Sequence, residues 1–233
     1  MIELIGVVVE DHEVVRLNRL DLTARPGEVL GIVGLSGSGK STALEVLAGL
    51  RAPDRGRIKL EGRDITRQTG RLKSISGWMG HTLPGPHALT VSQWLKLWAD
   101  LDGVAQDVAR TRLAEATEQL EMEYALDRPV HALSRGESRR LAMARLWILQ
   151  PRVFLLDAPE EGVDGPGLRQ ISSAIRAASA GGATIICTAA APYFTQSVCD
   201  RVICLKDGAA HFEVSRGEPD FSDRLAASLG WHR

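Results

Sequence analysis

The sequence predicts an α/β fold with a mainly parallel sheet, an N-terminal antiparallel β part and a helical insert. Three observations predict it. From residue 153 onward, short β-rich apolar runs alternate with helical segments, the pattern of consecutive βαβ units. The first stretch instead reads as closely spaced strands joined by turns. Between about residues 85 and 135 the apolar residues recur only at helical spacing.

Each element follows from local pattern. Ile2 to Val9 is β-rich, and Leu20 and Leu22 alternate with Asp21 and Thr23. Arg25-Pro26-Gly27 is a turn, and Glu28 to Val33 is a short buried strand that runs into a glycine loop. A helix is predicted from Lys40, with Ala43, Leu44, Leu47 and Ala48 on one side. Gly49 to Gly56 holds Pro53 and two glycines and reads as a loop. Strands follow at Ile58–Leu60 and Ile75–Met79. Val91, Trp94, Leu95, Trp98 and Leu101 mark one helix; Ala109, Leu113, Ala116 and Leu120 mark the next. Strands at Val153–Leu156, Thr184–Cys187 and Val202–Leu205 enclose helices at Leu168–Ala178 and Thr195–Val198. Asp207-Gly208 is a hairpin signal leading into Ala209–Val214, and Asp220–Arg233 reads as a short helix with Leu225 and Leu229.

Composition bounds the function. The 233 residues are 44% hydrophobic and 24% charged, which argues against a disordered or collagen-like chain. A net charge of −1 gives no basic excess, so no nucleic-acid partner is expected. The three cysteines, Cys187, Cys199 and Cys204, form no Cys-x-x-Cys pair, which points to a reducing compartment. No apolar run approaches the ~20 residues that span a bilayer. The opening MIELIGVVVE carries acid rather than base and is a poor signal peptide.

The strongest motif is Gly34-Leu35-Ser36-Gly37-Ser38-Gly39-Lys40-Ser41-Thr42, a match to G-x-x-x-x-G-K-[ST] between a predicted strand and a predicted helix. Its glycines let successive backbone N–H groups turn inward onto phosphate oxygens, and the helix N-terminus adds partial positive charge. Lys40 is placed to reach the β- and γ-phosphates, and the Ser41 hydroxyl to ligate Mg²⁺. Far downstream, Val153-Phe-Leu-Leu-Asp157 is an apolar strand ending in a carboxylate. At the carboxyl end of a parallel strand Asp157 faces the ligand crevice and can hold Mg²⁺; alone, such an aspartate is often just a helix cap.

The glycine loop, Leu133-Ser134-Arg135-Gly136-Glu137 and Asp157, in that order, resemble an ATP-binding-cassette (ABC) ATPase subunit over almost the whole length. Leu-Ser-Arg-Gly-Glu resembles the family's LSGGQ signature, with Ser134 and Gly136 kept, although a serine before a helix also serves as a plain N-cap. Asp164 matches the family's D-loop aspartate. The resemblance implies a P-loop NTPase core, one nucleotide-binding domain over 1–233, with a helical subdomain at about 85–135 set in a RecA-like core. It implies ATP and Mg²⁺ as cofactors, bound by Gly34 to Thr42, Ser134, Gly136 and Asp157. It implies a second ABC ATPase subunit as dimer partner, each ATP lying between the loop of one and the signature of the other. It also implies a transmembrane permease, and peripheral placement at the cytoplasmic face of the cell membrane. The Trp94/Trp98 stripe reads as core or as the surface meeting that permease.

The departures from the family are informative. Where the family has a catalytic glutamate after the metal-binding Asp, this chain has Ala158, and where it has a switch histidine it has Ala189. The family's loop glutamine falls at His81 or Thr82, depending on a one-residue alignment choice. Its adenine-stacking aromatic falls near Asp11 and His12. Binding groups are kept and groups acting at the γ-phosphate are missing, so the expectation is a chain that binds Mg·ATP and hydrolyses it poorly, paired with a competent partner. Ala158 alone could also be an engineered change. The competing readings are a permease-free ABC protein, a non-catalytic ABC scaffold and another P-loop enzyme. His81, His87 and His131 read as loop or packing residues, and Arg135, Arg139 and Arg140 as a solvated helix face.

Overall fold

The computed structural model describes residues 1–12 and 14–228. Strands β1 (Ile2–Asp11), β2 (Val14–Ala24) and β3 (Val29–Val33) lead into α1 (Lys40–Leu47). Then come β4 (Arg55–Leu60), β5 (Arg63–Asp64), α2 (Gly70–Ile75) and β6 (Ser76–Met79). The middle of the chain is α3 (Val91–Leu101), α4 (Gln106–Gln119) and α5 (Arg135–Leu149), with short 3-10 turns at Glu123–Ala125 and Val130–Ala132. The last third is β7 (Val153–Leu156), α6 (Gly165–Ala180), β8 (Thr184–Thr188), α7 (Pro192–Val198), β9 (Arg201–Lys206), β10 (Ala209–Ser215) and α8 (Phe221–Ser228).

Two sheets form. The first, in order β2-β1-β4-β5, is antiparallel throughout. The second runs β10-β9-β3-β8-β7-β6 and is parallel except for the β9–β10 hairpin. Asp207 and Gly208 turn that hairpin with left-handed φ angles of 49° and 76°. The sequence-based fold class therefore holds. The central strands are buried along their whole length because both faces are covered. Alternation still sorts their side chains: Leu30, Ile32, Leu155 and Ile186 pack toward α1 and the antiparallel sheet. Val29, Val33, Phe154, Leu156 and Ile185 pack toward α3, α5 and α6.

Four readings need correction. The short helix α2 precedes β6, where the sequence was read as strand from Ile75; one and a half turns with a single buried residue, Leu72, carry no periodic signal. The other two helices begin earlier than read: α6 at Gly165, because Asp164 caps it and Pro166 suits the first turn, and α7 at Pro192. The Arg139 and Arg140 face is not solvated. Arg139 is buried, and Arg140 bonds the Leu120 and Glu121 carbonyls, Gln170 and Tyr124. The helix expected over Asp220–Arg233 is present as α8 up to Ser228; Leu229 lies outside the described residues. No helix among the described residues is long and apolar enough to cross a membrane.

Candidate functional site

Strands β3, β8 and β7 are neighbours and parallel, so their carboxyl ends deliver three loops to one edge of the sheet. The β3 loop is Gly34–Gly39. Gly34, Gly37 and Gly39 take left-handed φ angles of 142°, 81° and 97°. A Cβ on Gly34 would stand 2.3 Å from the Leu205 carbonyl oxygen, and one on Gly39 would stand 2.6 Å from that of Arg16. Glycine is therefore required twice, by conformation and by space. Leu35, Ser36 and Gly37 form the exposed crest, while Ser38 is buried with a hydroxyl that has no protein partner. Lys40 opens α1 and bends back, donating from Nζ to the carbonyls of Gly34 and Leu35, both at 2.8 Å. Burial pushes the Lys40 amine down, and the charges of Asp157, Cys204 and Glu160 oppose that. The first N–H groups of α1, at Lys40, Ser41 and Thr42, precede any possible i−4 partner inside the helix. A glycine cradle, an orphan buried hydroxyl, free helix donors and a lysine together fit a polyphosphate.

The β7 loop begins at Asp157, which is buried. Ser41 Oγ donates to its Oδ1 at 3.2 Å, and Thr188 Oγ at the end of β8 donates to the same oxygen at 2.6 Å. His81 Nε2 lies 3.2 Å from Oδ2. His81, in the loop that follows β6, thus reaches the aspartate, so it is a loop residue with a polar partner at the site. Hydroxyl and carboxylate oxygens beside a phosphate cradle are the donor set of a hard divalent ion, so Ser41 and Asp157 fit Mg²⁺.

Around them stand two alanines, Ala158 and Ala189, and two carboxylates, Glu160 and Glu161. Ala158, at φ 46°, donates its N–H to Thr188 Oγ at 2.8 Å and offers only a methyl group. Ala189 is buried at the end of β8. Glu160 Oε1 accepts the N–H groups of Ala190 and Ala191 at 2.7 and 3.3 Å; burial raises its carboxyl, and these bonds only partly offset that. Glu161 Oε2 is shared by His81 Nδ1 at 3.2 Å and Arg139 at 3.5 Å. Asp11 pairs with Arg16 at 3.5 Å, and His12 is exposed.

The Ser134 motif is a closed capping box: Ser134 Oγ accepts from the Glu137 N–H, and Glu137 accepts from the Ser134 N–H. Burial would raise the Glu137 carboxyl, yet bonds from Ser134, Tyr124 and Arg128 outweigh it and hold it at about 2. Gly136 sits beside Gly162 at the start of α5. The structure brings Gly34–Thr42 and Asp157 together; Ser134 caps α5 and Gly136 lies in its first turn. Asp164 caps α6, accepting from the Gly167 N–H at 3.0 Å. The sequence alone does not place Thr188, Glu161 or Arg139 in this site, and offers His81 only as one of two positions for the family's loop glutamine. Only the polar end of an otherwise apolar strand hinted at Thr188.

A glycine loop between a strand and a helix, facing an aspartate two strands away in a parallel sheet, defines a P-loop nucleotide-binding domain. A model of the ABC transporter family matches residues 17–161, and the chain belongs to that family as its ATPase domain. The probable sulfate/thiosulfate import ATP-binding protein CysA of Chlorella vulgaris is 36% identical over 160 residues, 69% of this chain and 67% of that protein. The cytochrome c biogenesis ATP-binding export protein CcmA of Bordetella bronchiseptica is 32% identical over 195 residues, 84% of this chain and 86% of that one. Among solved structures, an ATP binding subunit of an ABC transporter superposes with TM-score 0.86 at 21% identity, covering 99% of each chain. The ATP-binding cassette MJ0796, in a dimeric post-hydrolysis state bound to ADP and Pi, gives 0.82 at 23% identity over 92% of this chain and 98% of that one. These likenesses establish the fold.

Proposed function

We propose that this chain, as one nucleotide-binding domain with its helical subdomain at about 85–135, is the ATP-binding subunit of an ABC transporter that holds Mg·ATP and hydrolyses it slowly in its own site. The observation that carries this reading is the contrast at one sheet edge. The groups that hold phosphate and metal, Gly34 to Thr42 with Asp157, are in place. The positions that would prime an attacking water are Ala158 and Ala189; of the neighbouring carboxylates, Glu161 pairs with His81 and Arg139, and Glu160 is bonded through Oε1 alone, its buried Oε2 having no partner. Ser41 and Asp157 would hold the ion, which would supply neutralisation of phosphate charge. Loss of a positioned base costs on the order of 10²–10⁴ in rate.

Ser134 and Gly136 would then complete the ATP site of a partner subunit that keeps its glutamate and histidine. The relatives named above include an importer and an exporter component, so what they share with this chain is the cassette rather than a cargo. A transmembrane permease would dock in the groove of about 980 Å³ between the sheet edge and the helical part, lined by Trp78, Thr82, Trp98, Asp102 and Arg145. Trp94 is fully buried, so the core reading holds for it; Trp98 lines the groove, under Arg145 at 4.0 Å. On this reading the chain sits peripherally at the cytoplasmic face of the membrane. A non-catalytic ABC scaffold that uses ATP only as dimer glue draws on the same alanines, Ala158 and Ala189. Affinity purification from native membranes separates the readings: a permease with a second ABC subunit is expected. A soluble partner alone favours the scaffold, and recovery with ribosome or nucleic acid contradicts both.

A further inference from the structure

Charge is unevenly spread along the chain. Residues 51–73 hold eight Lys or Arg against three Asp or Glu, a net of +5, while the rest of the chain, with 20 against 26, carries −6. The fold lays this stretch along one border of the antiparallel sheet. Arg57 and Lys59 flank the buried Ile58 on β4 and so point away from the core, and Arg55 is exposed at the start of that strand. Arg63 stands on β5, the edge strand. Arg67 follows in the next turn, and α2 buries Leu72 while exposing Arg71 and Lys73. Among the described residues, none of these seven side chains takes part in an ion pair. The three acids of the stretch are each engaged: Asp54 accepts the Glu10 N–H, Glu61 pairs with Arg152, and Asp64 accepts from Thr66. Charges on an edge strand guard it against pairing with another chain, which accounts for Arg63. That does not account for a band that continues through a turn onto a helix.

A partner for this band is anionic and broad. Residues 51–73 contain no Phe, Trp or Tyr on which a base could stack, and α2, at six residues, is too short to read a groove. Cytoplasmic loops of a permease are themselves rich in Lys and Arg. Anionic phospholipid headgroups carry the complementary charge over a plane. The band also leads to the groove proposed above for the permease, which Lys73 lines. We infer that the cationic band of β4, β5 and α2 rests on the anionic headgroups of the membrane leaflet, a lipid contact beside the permease contact. It relies on the proposed function only for which side of the chain faces the membrane. Within residues 51–73 no large apolar side chain is exposed, so the attraction is electrostatic rather than an insertion among acyl chains.

The test is co-sedimentation of the purified full chain with vesicles, without permease or nucleotide. Binding is expected to vesicles of mixed phosphatidylglycerol and phosphatidylcholine and not to phosphatidylcholine alone, and to fall at least about tenfold as salt rises from about 0.1 to 0.5 M. Each cation near the surface contributes about fivefold, so Arg57→Gln with Lys59→Gln and Arg63→Gln is expected to weaken binding roughly 100-fold. Arg110→Gln with Arg169→Gln and Lys206→Gln removes the same charge from exposed positions outside the band and is expected to leave binding within about twofold. An unchanged thermal unfolding midpoint reports that each variant is folded. No binding to the anionic vesicles, equal losses in the two triple variants, or tighter binding to single-stranded RNA than to vesicles at the same salt overturns the inference. Failure on vesicles while a permease co-purifies with the chain overturns the lipid contact and leaves the proposed function standing.

Discussion

The loop after β3 and the loops after β7 and β8 leave the same edge of the same sheet, on adjacent strands, yet they are equipped differently. The first keeps every element that grips a polyphosphate: left-handed glycines, a buried hydroxyl, a lysine and an uncapped helix start. The other two keep the aspartate and a threonine but carry methyl groups at Ala158 and Ala189, where the family places a base and a histidine. Of their remaining carboxylates, Glu161 serves side-chain partners and Glu160 is bonded to backbone through Oε1 alone. On the proposed reading, the phosphate grip lies in the β3 loop, the metal-holding aspartate in the β7 loop, and only the positions for cutting, at Ala158 and Ala189, have changed while the sheet geometry is kept.

Restoring what the second region lacks gives the largest effect. Ala158→Glu combined with Ala189→His is expected to raise steady-state phosphate release by about 10² or more, the usual scale for a positioned base; no gain would mean the loops differ in more than these two side chains. Damage to the first region comes next. Lys40→Ala is expected to weaken ATP binding by roughly 10- to 100-fold, the scale of a charge-assisted hydrogen bond, as read by calorimetric titration. Asp157→Asn sharpens the division within the second region: ATP binding should lose about tenfold of its dependence on the divalent ion while metal-free binding is retained.

The smallest effect lies away from both loops. Glu137 is held at about 2, below its ordinary value near 4.5, so its ionised form is favoured in the folded chain. That stabilisation is complete above about pH 4.5 and is lost as pH falls through about 2. Glu137→Gln should therefore cost about 1–2 kcal/mol at pH 7 in denaturant unfolding, and the penalty should shrink progressively below pH 4.5. A penalty independent of pH would assign the loss to shape rather than charge.

How much was legible in the sequence follows the same division. The glycine loop could be read because its residues are consecutive and each acts through its own backbone. Asp157 could be read because an apolar strand ends on it. The β9–β10 hairpin was announced by two residues, Asp207 and Gly208. What stayed hidden depends on distant chain meeting: His81 and Glu161 are 80 residues apart in sequence, and Arg139 meets a carbonyl 59 residues away. Spacing along α5 shows only that arginines share a helix; it does not show that the β6 loop supplies a carbonyl to bury one of them. Ser134 illustrates the intermediate case, because its capping box was readable locally while any role toward a partner's nucleotide needs a second chain.

The most direct trial of the account follows one preparation of the purified chain through both nucleotide occupancy and phosphate release. The account predicts that ATP with its divalent ion saturates one site per chain while phosphate appears far more slowly than from a cassette bearing the glutamate and histidine. Turnover at the rate of such a cassette, or a site that takes up no nucleotide, would contradict it.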